Sequence, residues 1–206
     1  MSTIHTRYSV YNMALDYLNE VPIAAPPGTG VAARWLERNF DRFVDVELSS
    51  NFWNFAMEYH ELQRDVTYDA TRRWRYRYAT PNGALRIYPP TANGERDGRL
   101  LDFATVRGGI LLNQGPTLRS WWAMRVPNPG EWEPVFAEVV AATLAINLAH
   151  KITGKTSYID RLTQLRADLL DRAEEINALA RSPEPIEQHD ILRVRGEDGY
   201  GYDGSF

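Results

Sequence analysis

Apolar positions recur at steps of three and four near the start of the chain. Val10, Met13, Ala14, Tyr17, Leu18 and Val21 share one face and predict a helix over 8–20. Pro22 ends it, and Pro26-Pro27-Gly28-Thr29-Gly30 reads as a loop. A second helix over 29–49 carries the stripe Trp35, Leu36, Phe40, Phe43, Val44 and Leu48. Arg34, Glu37, Arg38, Asp41, Arg42 and Asp45 fall mostly on its other side. Each helix has one apolar face and needs partners.

The period then changes. Arg73, Arg75 and Arg77 alternate with Trp74, Tyr76 and Tyr78, the two-residue repeat of a strand with unlike faces. Pro81-Asn82-Gly83 signals a turn, and 85–88 reads as the next strand. Residues 100–106 and 110–113 flank Arg107-Gly108-Gly109 as a hairpin, and 118–126 forms a further strand. The region 55–126 is thus a small antiparallel β domain.

A third helix over 134–153 opens on Pro134, with Phe136, Val139, Val140, Leu144, Leu148 and Ile152 on one side. Ala141, Ala142, Ala145 and Ala149 allow a close neighbour. The fourth, over 157–180, has the narrow seam Ile159, Leu162, Leu165, Leu169, Ala173 and Ile176. The expected fold class is α+β: about four helices forming a bundle, with the β domain between helices two and three. A body of 1–181 is followed by a C-terminal extension, 182–206.

Composition narrows the function classes. The chain has 206 residues, 44% hydrophobic, with six Trp, which predicts a folded protein. It contains no cysteine, so disulfides, zinc–thiolate sites and cysteine nucleophiles are excluded. No run approaches the roughly 20 apolar residues of a membrane span, and 1–5 lack a secretory pattern. These features predict a soluble protein with no membrane role. The net charge of −4 resides in 182–206, where six acids face two bases, while acids and bases cancel in the body. A neutral body argues against general nucleic-acid binding as the main task.

No catalytic or cofactor signature stands out. His5, His60, His150 and His189 lack metal-ligand spacing, so neither a metal site nor a cofactor is expected. Gly28-Thr29-Gly30 lacks the strand and the Gly-Lys-Ser/Thr ending of a phosphate loop. Glu58 with Glu61, or Asp65 with Asp69, offers paired carboxylates for a glycosidase-like hydrolase, but 27 acids make such pairs common by chance. Arg73, Arg75 and Arg77 form a candidate contact for DNA or an acidic partner; the plainer reading is an amphipathic strand whose aromatics fill the core. In the extension, Ile186, Ile191, Leu192, Val194, Tyr200, Tyr202 and Phe206 are unexpected in a solvated linker. They suit an arm that orders against a partner or a neighbouring subunit.

Several segments, in order, resemble the head-to-tail adaptor proteins of tailed bacteriophages, the group that includes tail tubular protein A and related connector or gateway proteins. They are Met13-Ala14-Leu15-Asp16-Tyr17-Leu18-Asn19, Phe52-Trp53-Asn54-Phe55-Ala56, Tyr76-Arg77-Tyr78-Ala79-Thr80-Pro81-Asn82-Gly83-Ala84-Leu85-Arg86, Trp132-Glu133-Pro134-Val135-Phe136 and Leu144-Ala145-Ile146-Asn147-Leu148-Ala149. The likeness spans about 8–180. It departs at Asn82-Gly83-Ala84, where many relatives have an acid, and the extension matches no motif of the family.

The resemblance implies a structural, non-enzymatic role. A dodecameric ring would dock beneath the portal protein, pass DNA through its lumen without sequence recognition, and receive stopper or tail proteins on its far side. The location would be the virion neck, with the host cytoplasm during assembly. A cell-wall hydrolase and a DNA-binding accessory protein are the alternatives.

Overall fold

The computed structural model describes residues 5–24, 30–95, 98–152 and 156–179. Four helices and six strands follow in chain order: α1 (Arg7–Asp16), α2 (Val31–Ser50), β1 (Met57–Gln63), β2 (Tyr76–Ala79), β3 (Ala84–Ile87), β4 (Phe103–Val106), β5 (Gly109–Leu112), β6 (Thr117–Met124), α3 (Pro134–Ile152) and α4 (Thr156–Leu179). The α+β class and the insertion of the strands between α2 and α3 are as expected.

α1 starts on a capping box. Ser9 N–H donates to Thr6 Oγ1 at 3.1 Å and Thr6 N–H to Ser9 Oγ at 2.8 Å, satisfying two end donors. The helix stops at Asp16, short of the expected 20, because Asn19 turns the chain at φ 56°. Leu18 still reaches the core from that turn, which explains the continued apolar period, whereas Val21 lies in solvent.

α3 is the hub and contacts α1, α2 and α4. The expected apolar side and alanine side are both buried, including Val139, Val140, Ala141, Ala142, Ala145, Leu148 and Ala149. A helix surrounded by others has no use for a polar face, and small residues let the neighbours approach. α2 buries its predicted stripe at Leu36, Phe40, Phe43, Val44 and Leu48. α4 buries Leu162, Leu169 and Ala173, but the last member of its seam, Ile176, is exposed.

The expected small antiparallel β domain consists of two three-stranded sheets, ordered β1-β6-β3 and β2-β5-β4. Tyr78, Ile87, Ile110, Leu112, Leu118, Trp122 and Met124 form the core of this β unit. The hairpin at Arg107-Gly108 joins β4 and β5, pairing Val106 with Gly109, and Gly108 supplies the positive φ of 69°. The turn at 81–83 links β2 to β3 across the two sheets. β1, for which no individual strand was expected, pairs with β6 from Met57↔Ala123 to Gln63↔Thr117.

The aromatic segments before β1 and before α3 meet. Trp53 and Phe136 ring centroids lie 4.7 Å apart, Phe55 and Phe136 5.1 Å, and Trp132 and Phe136 4.9 Å, all edge-to-face. Trp53 Nε1–H donates to the Glu47 carbonyl at 2.9 Å, so the ring is both buried and satisfied. Polar ties complete the junction between α2 and the β unit: Arg125 Nε donates to Asp45 at 2.8 Å, Arg86 to the Ser49 carbonyl at 3.0 Å, and Tyr88 to the Asn51 carbonyl at 3.1 Å.

Candidate functional site

The expected arginine row is not a row. The ladder begins at Tyr76, so Arg73 and Arg75 precede it. Arg73 is exposed and lies over the Trp74 ring at 5.1 Å. Arg75 is exposed, and its backbone N–H donates to Asn113 at 3.1 Å. Arg77 is half-buried and reaches Asp65 at 3.3 Å and the Arg107 carbonyl at 3.3 Å. The aromatic partners behave as core: Tyr78 and Trp74 are buried and Tyr76 packs against the β-unit core.

Asp65 shapes this corner. Thr67 donates to it through its hydroxyl at 2.6 Å and its N–H at 2.9 Å, and these bonds, aided by Arg77, hold its carboxyl below the ordinary range near about 3.9. A lowered folded pKa gives stability that is present above the unfolded value and lost as pH falls through the folded one. Asp65→Asn is therefore expected to lower Tm at neutral pH, with the gap to wild type narrowing as the pH falls through and below the ordinary carboxylate range in melting curves. A gap independent of pH contradicts this account.

The carboxylate pairs do not converge. Glu58 and Glu61 are an odd number of positions apart in β1 and point to opposite faces. Glu58 meets His60 at 3.1 Å, and Glu61 accepts from Arg119 at 3.0 Å across the ladder. Asp65 is engaged by Thr67 and Arg77, while Asp69 is exposed. Among the described residues, no group of three or more His, Asp or Glu side chains is placed to hold a metal ion. No described helix is long and apolar enough to cross a membrane.

The seven arm residues, Ile186, Ile191, Leu192, Val194, Tyr200, Tyr202 and Phe206, lie outside the described residues, as do Gly28 and Thr29. Gly30 is the N-cap of α2.

Three surface features stand out instead. An apolar groove of about 400 Å³ runs between Phe52, Tyr88, Pro89, Pro90, Leu100 and Trp121. Beside it, on the outer face of β1 and β6, Tyr59 and Trp121 pack at 5.2 Å, while Trp122 points inward to the core. A cleft of about 300 Å³ separates Asn51-Phe52-Trp53 from Leu170, Ala173 and Asn177 of α4. It is bridged by Asn177 Nδ2–H donating to the Phe52 carbonyl at 2.8 Å.

The third feature is on α2. Its acids are engaged by cations of other elements: Glu37 and Asp41 by Arg7, Asp45 by Arg125, and Glu47 by Arg166. Its own Arg34, Arg38 and Arg42 are exposed, and their side chains make no ion pair within 4.0 Å among the described residues. Arg34 and Arg38 line a small depression with Val31, Trp35 and Lys151, and Arg42 lies over the Phe43 ring at 5.3 Å. The helix-two pattern placed these arginines on the polar side. Their isolation was not legible there, because most of the cations that claim the acids are distant in sequence.

The arrangement supplies surfaces of two kinds, apolar–aromatic and cationic. No protein-family model matches the chain, and no curated protein is similar to it.

Proposed function

We propose that this chain is a structural head-to-tail adaptor of a tailed bacteriophage, assembling as a ring under the portal. The observation that carries the reading is the junction of Trp53 and Phe55 with Trp132 and Phe136. Two of the ordered segments that resemble the adaptor family meet there, locking the helices to the inserted β unit. The support is the order and packing of those segments, not a match to a family model.

A ring of identical subunits uses a heterologous contact, one face of each copy against a different face of the next. The groove at Phe52, Tyr88 and Trp121 offers an aromatic face of the kind enriched at interface cores. The arm carrying Ile186, Ile191, Leu192, Val194, Tyr200, Tyr202 and Phe206 offers a second element, ordering on the portal or on an adjacent subunit by strand addition. Assembly then follows mass action and builds up where portal and neighbours are present.

The test is electron microscopy of purified virions with this chain labelled. A ring of label at the neck, between portal and tail, is the expected result. Virions whose neck lacks the chain end the reading.

A further inference from the structure

We propose that in the free, unassembled chain the cationic strip of α2 is a docking site for the acidic segment 182–206 of the same chain. This goes beyond the adaptor reading and does not depend on it.

Charge complementarity is the first argument. Arg34, Arg38 and Arg42 recur every fourth residue and so share one face of α2, at intervals of about 6 Å along its axis. Lys151 adds a fourth cation at the Arg34 end. None of the four has an acidic partner among the described residues. The whole net charge of −4 resides in 182–206, and its first three acids, Glu184, Glu187 and Asp190, are also evenly spaced.

Reach is the second argument. α4 runs to Leu179, and its Asn177 is hydrogen-bonded to the Phe52 carbonyl, just past the C-terminal end of α2. From Ser50, the positions of Arg42, Arg38 and Arg34 lie about 12, 18 and 24 Å back along the helix. From Leu179, an extended chain brings Glu184, Glu187 and Asp190 to at most about 17, 27 and 37 Å. Measured along the helix axis, the arm is thus long enough to present its three acids to the three arginines in order, with about 5–13 Å to spare for passing around α2.

Texture is the third. The depression at the N-terminal end of α2 combines Arg34, Arg38 and Lys151 with the half-buried Trp35 and the exposed Val31. An arm that follows its acids with Ile191 and Leu192 matches that mixture. A phosphodiester backbone offers charge alone and leaves Val31 and Trp35 unused. Exposed ion pairs are individually weak, but tethering raises the effective concentration to about the millimolar range, so a few suffice to hold the arm.

Because the chain contains no cysteine, a nitroxide can be placed uniquely at Gln188→Cys in the full-length protein. The expected paramagnetic-resonance spectrum at low salt contains an immobilised component that does not change with protein concentration. It disappears in R34Q/R38Q/R42Q, in E184Q/E187Q/D190N, and near 1 M salt, where the screening length is about 3 Å. It returns when R34E/R38E/R42E is combined with E184R/E187R/D190R. The neutralised arm lies outside the described fold, so that variant reports even if the strip variant does not fold.

Three outcomes overturn the proposal. They are a label equally mobile in wild type and both neutralised variants, immobilisation that survives neutralisation, and immobilisation that grows with concentration, which assigns the strip to another copy's arm. Fluorescence anisotropy with a duplex oligonucleotide adds a fourth reading. The E184Q/E187Q/D190N variant is expected to bind duplex several-fold more tightly than wild type, and equal binding means that the strip is open to phosphates and the arm is elsewhere.

Discussion

Arg166→Ala is expected to destabilise the fold by about 3–5 kcal/mol, the cost of leaving a buried charge without its partner. Glu47 is only 1% exposed, on the face of α2 that meets α3 and α4. Arg166 of α4 holds its carboxylate with both Nε and Nη2, at 3.2 Å and 2.9 Å to one oxygen and 2.8 Å to the other. Thr143 of α3 closes the triangle, donating to Glu47 at 2.7 Å and accepting from Arg166 at 2.9 Å. Three helices are thus tied through one carboxylate. Removing the guanidinium leaves that carboxylate a single hydroxyl donor within the protein, that of Thr143. The fall in Tm is expected to be on the order of 10 °C for a chain of this size. The double replacement Glu47→Leu with Arg166→Met removes the charge as well as its partner and is expected to recover most of the loss. Urea unfolding of both variants decides the matter, and a cost below about 1 kcal/mol for Arg166→Ala would show that the pair behaves as an exposed one.

This triangle marks a limit of reading the chain in one dimension. The stripe of α2 was legible because Leu36, Phe40, Val44 and Leu48 repeat with the helix, and the core uses them as the period implies. Glu47 sits beside Leu48 and three residues after Val44, on the apolar side of the same helix. An acid there was the available signal that a cation lay across the seam. Its partner is 119 residues away, and no local pattern names it.

The β unit divides in the same way. Alternation correctly assigned Trp74 and Tyr78 to the core, since burial follows the side-chain period even outside a ladder. Where pairing begins, and that β6 lies between β1 and β3, depends on contacts distant in sequence. The three arginines of that stretch then have three separate surroundings. The cationic strip of α2 was half legible: its position follows from the helix period, whereas its freedom from acids follows from Arg7, Arg125 and Arg166. The arm residues named from the sequence lie outside the described residues.

Trp53→Ala is expected to cost about 3–5 kcal/mol, the range for truncating a large buried aromatic. Trp53 is 1% exposed and lies where the chain leaves α2 for the β unit. Its ring packs on Phe136 and Phe55, and through Phe136 on Trp132, which stacks on Phe40 at 5.8 Å. Phe40 in turn meets Tyr11 at 5.2 Å, so one aromatic chain runs from α1 through α2 and α3 to the first residues before β1. Alanine leaves a cavity at the β-unit end of that chain and frees the Glu47 carbonyl from its indole donor. Trp53→Phe fills most of the volume and loses only the donor, so a cost nearer 1–2 kcal/mol is expected, about that of one hydrogen bond and a smaller ring. Trp121, half-buried on the outer face of β6, sets the scale for an aromatic that covers surface: its truncation is expected to cost clearly less. Chemical unfolding followed by far-ultraviolet dichroism ranks the three variants. A ranking in which Trp121→Ala equals or exceeds Trp53→Ala contradicts the assignment of Trp53 as the pin between helices and strands. In that event the junction would rest on the polar ties of Arg125, Arg86 and Tyr88 to α2 and the residue after it.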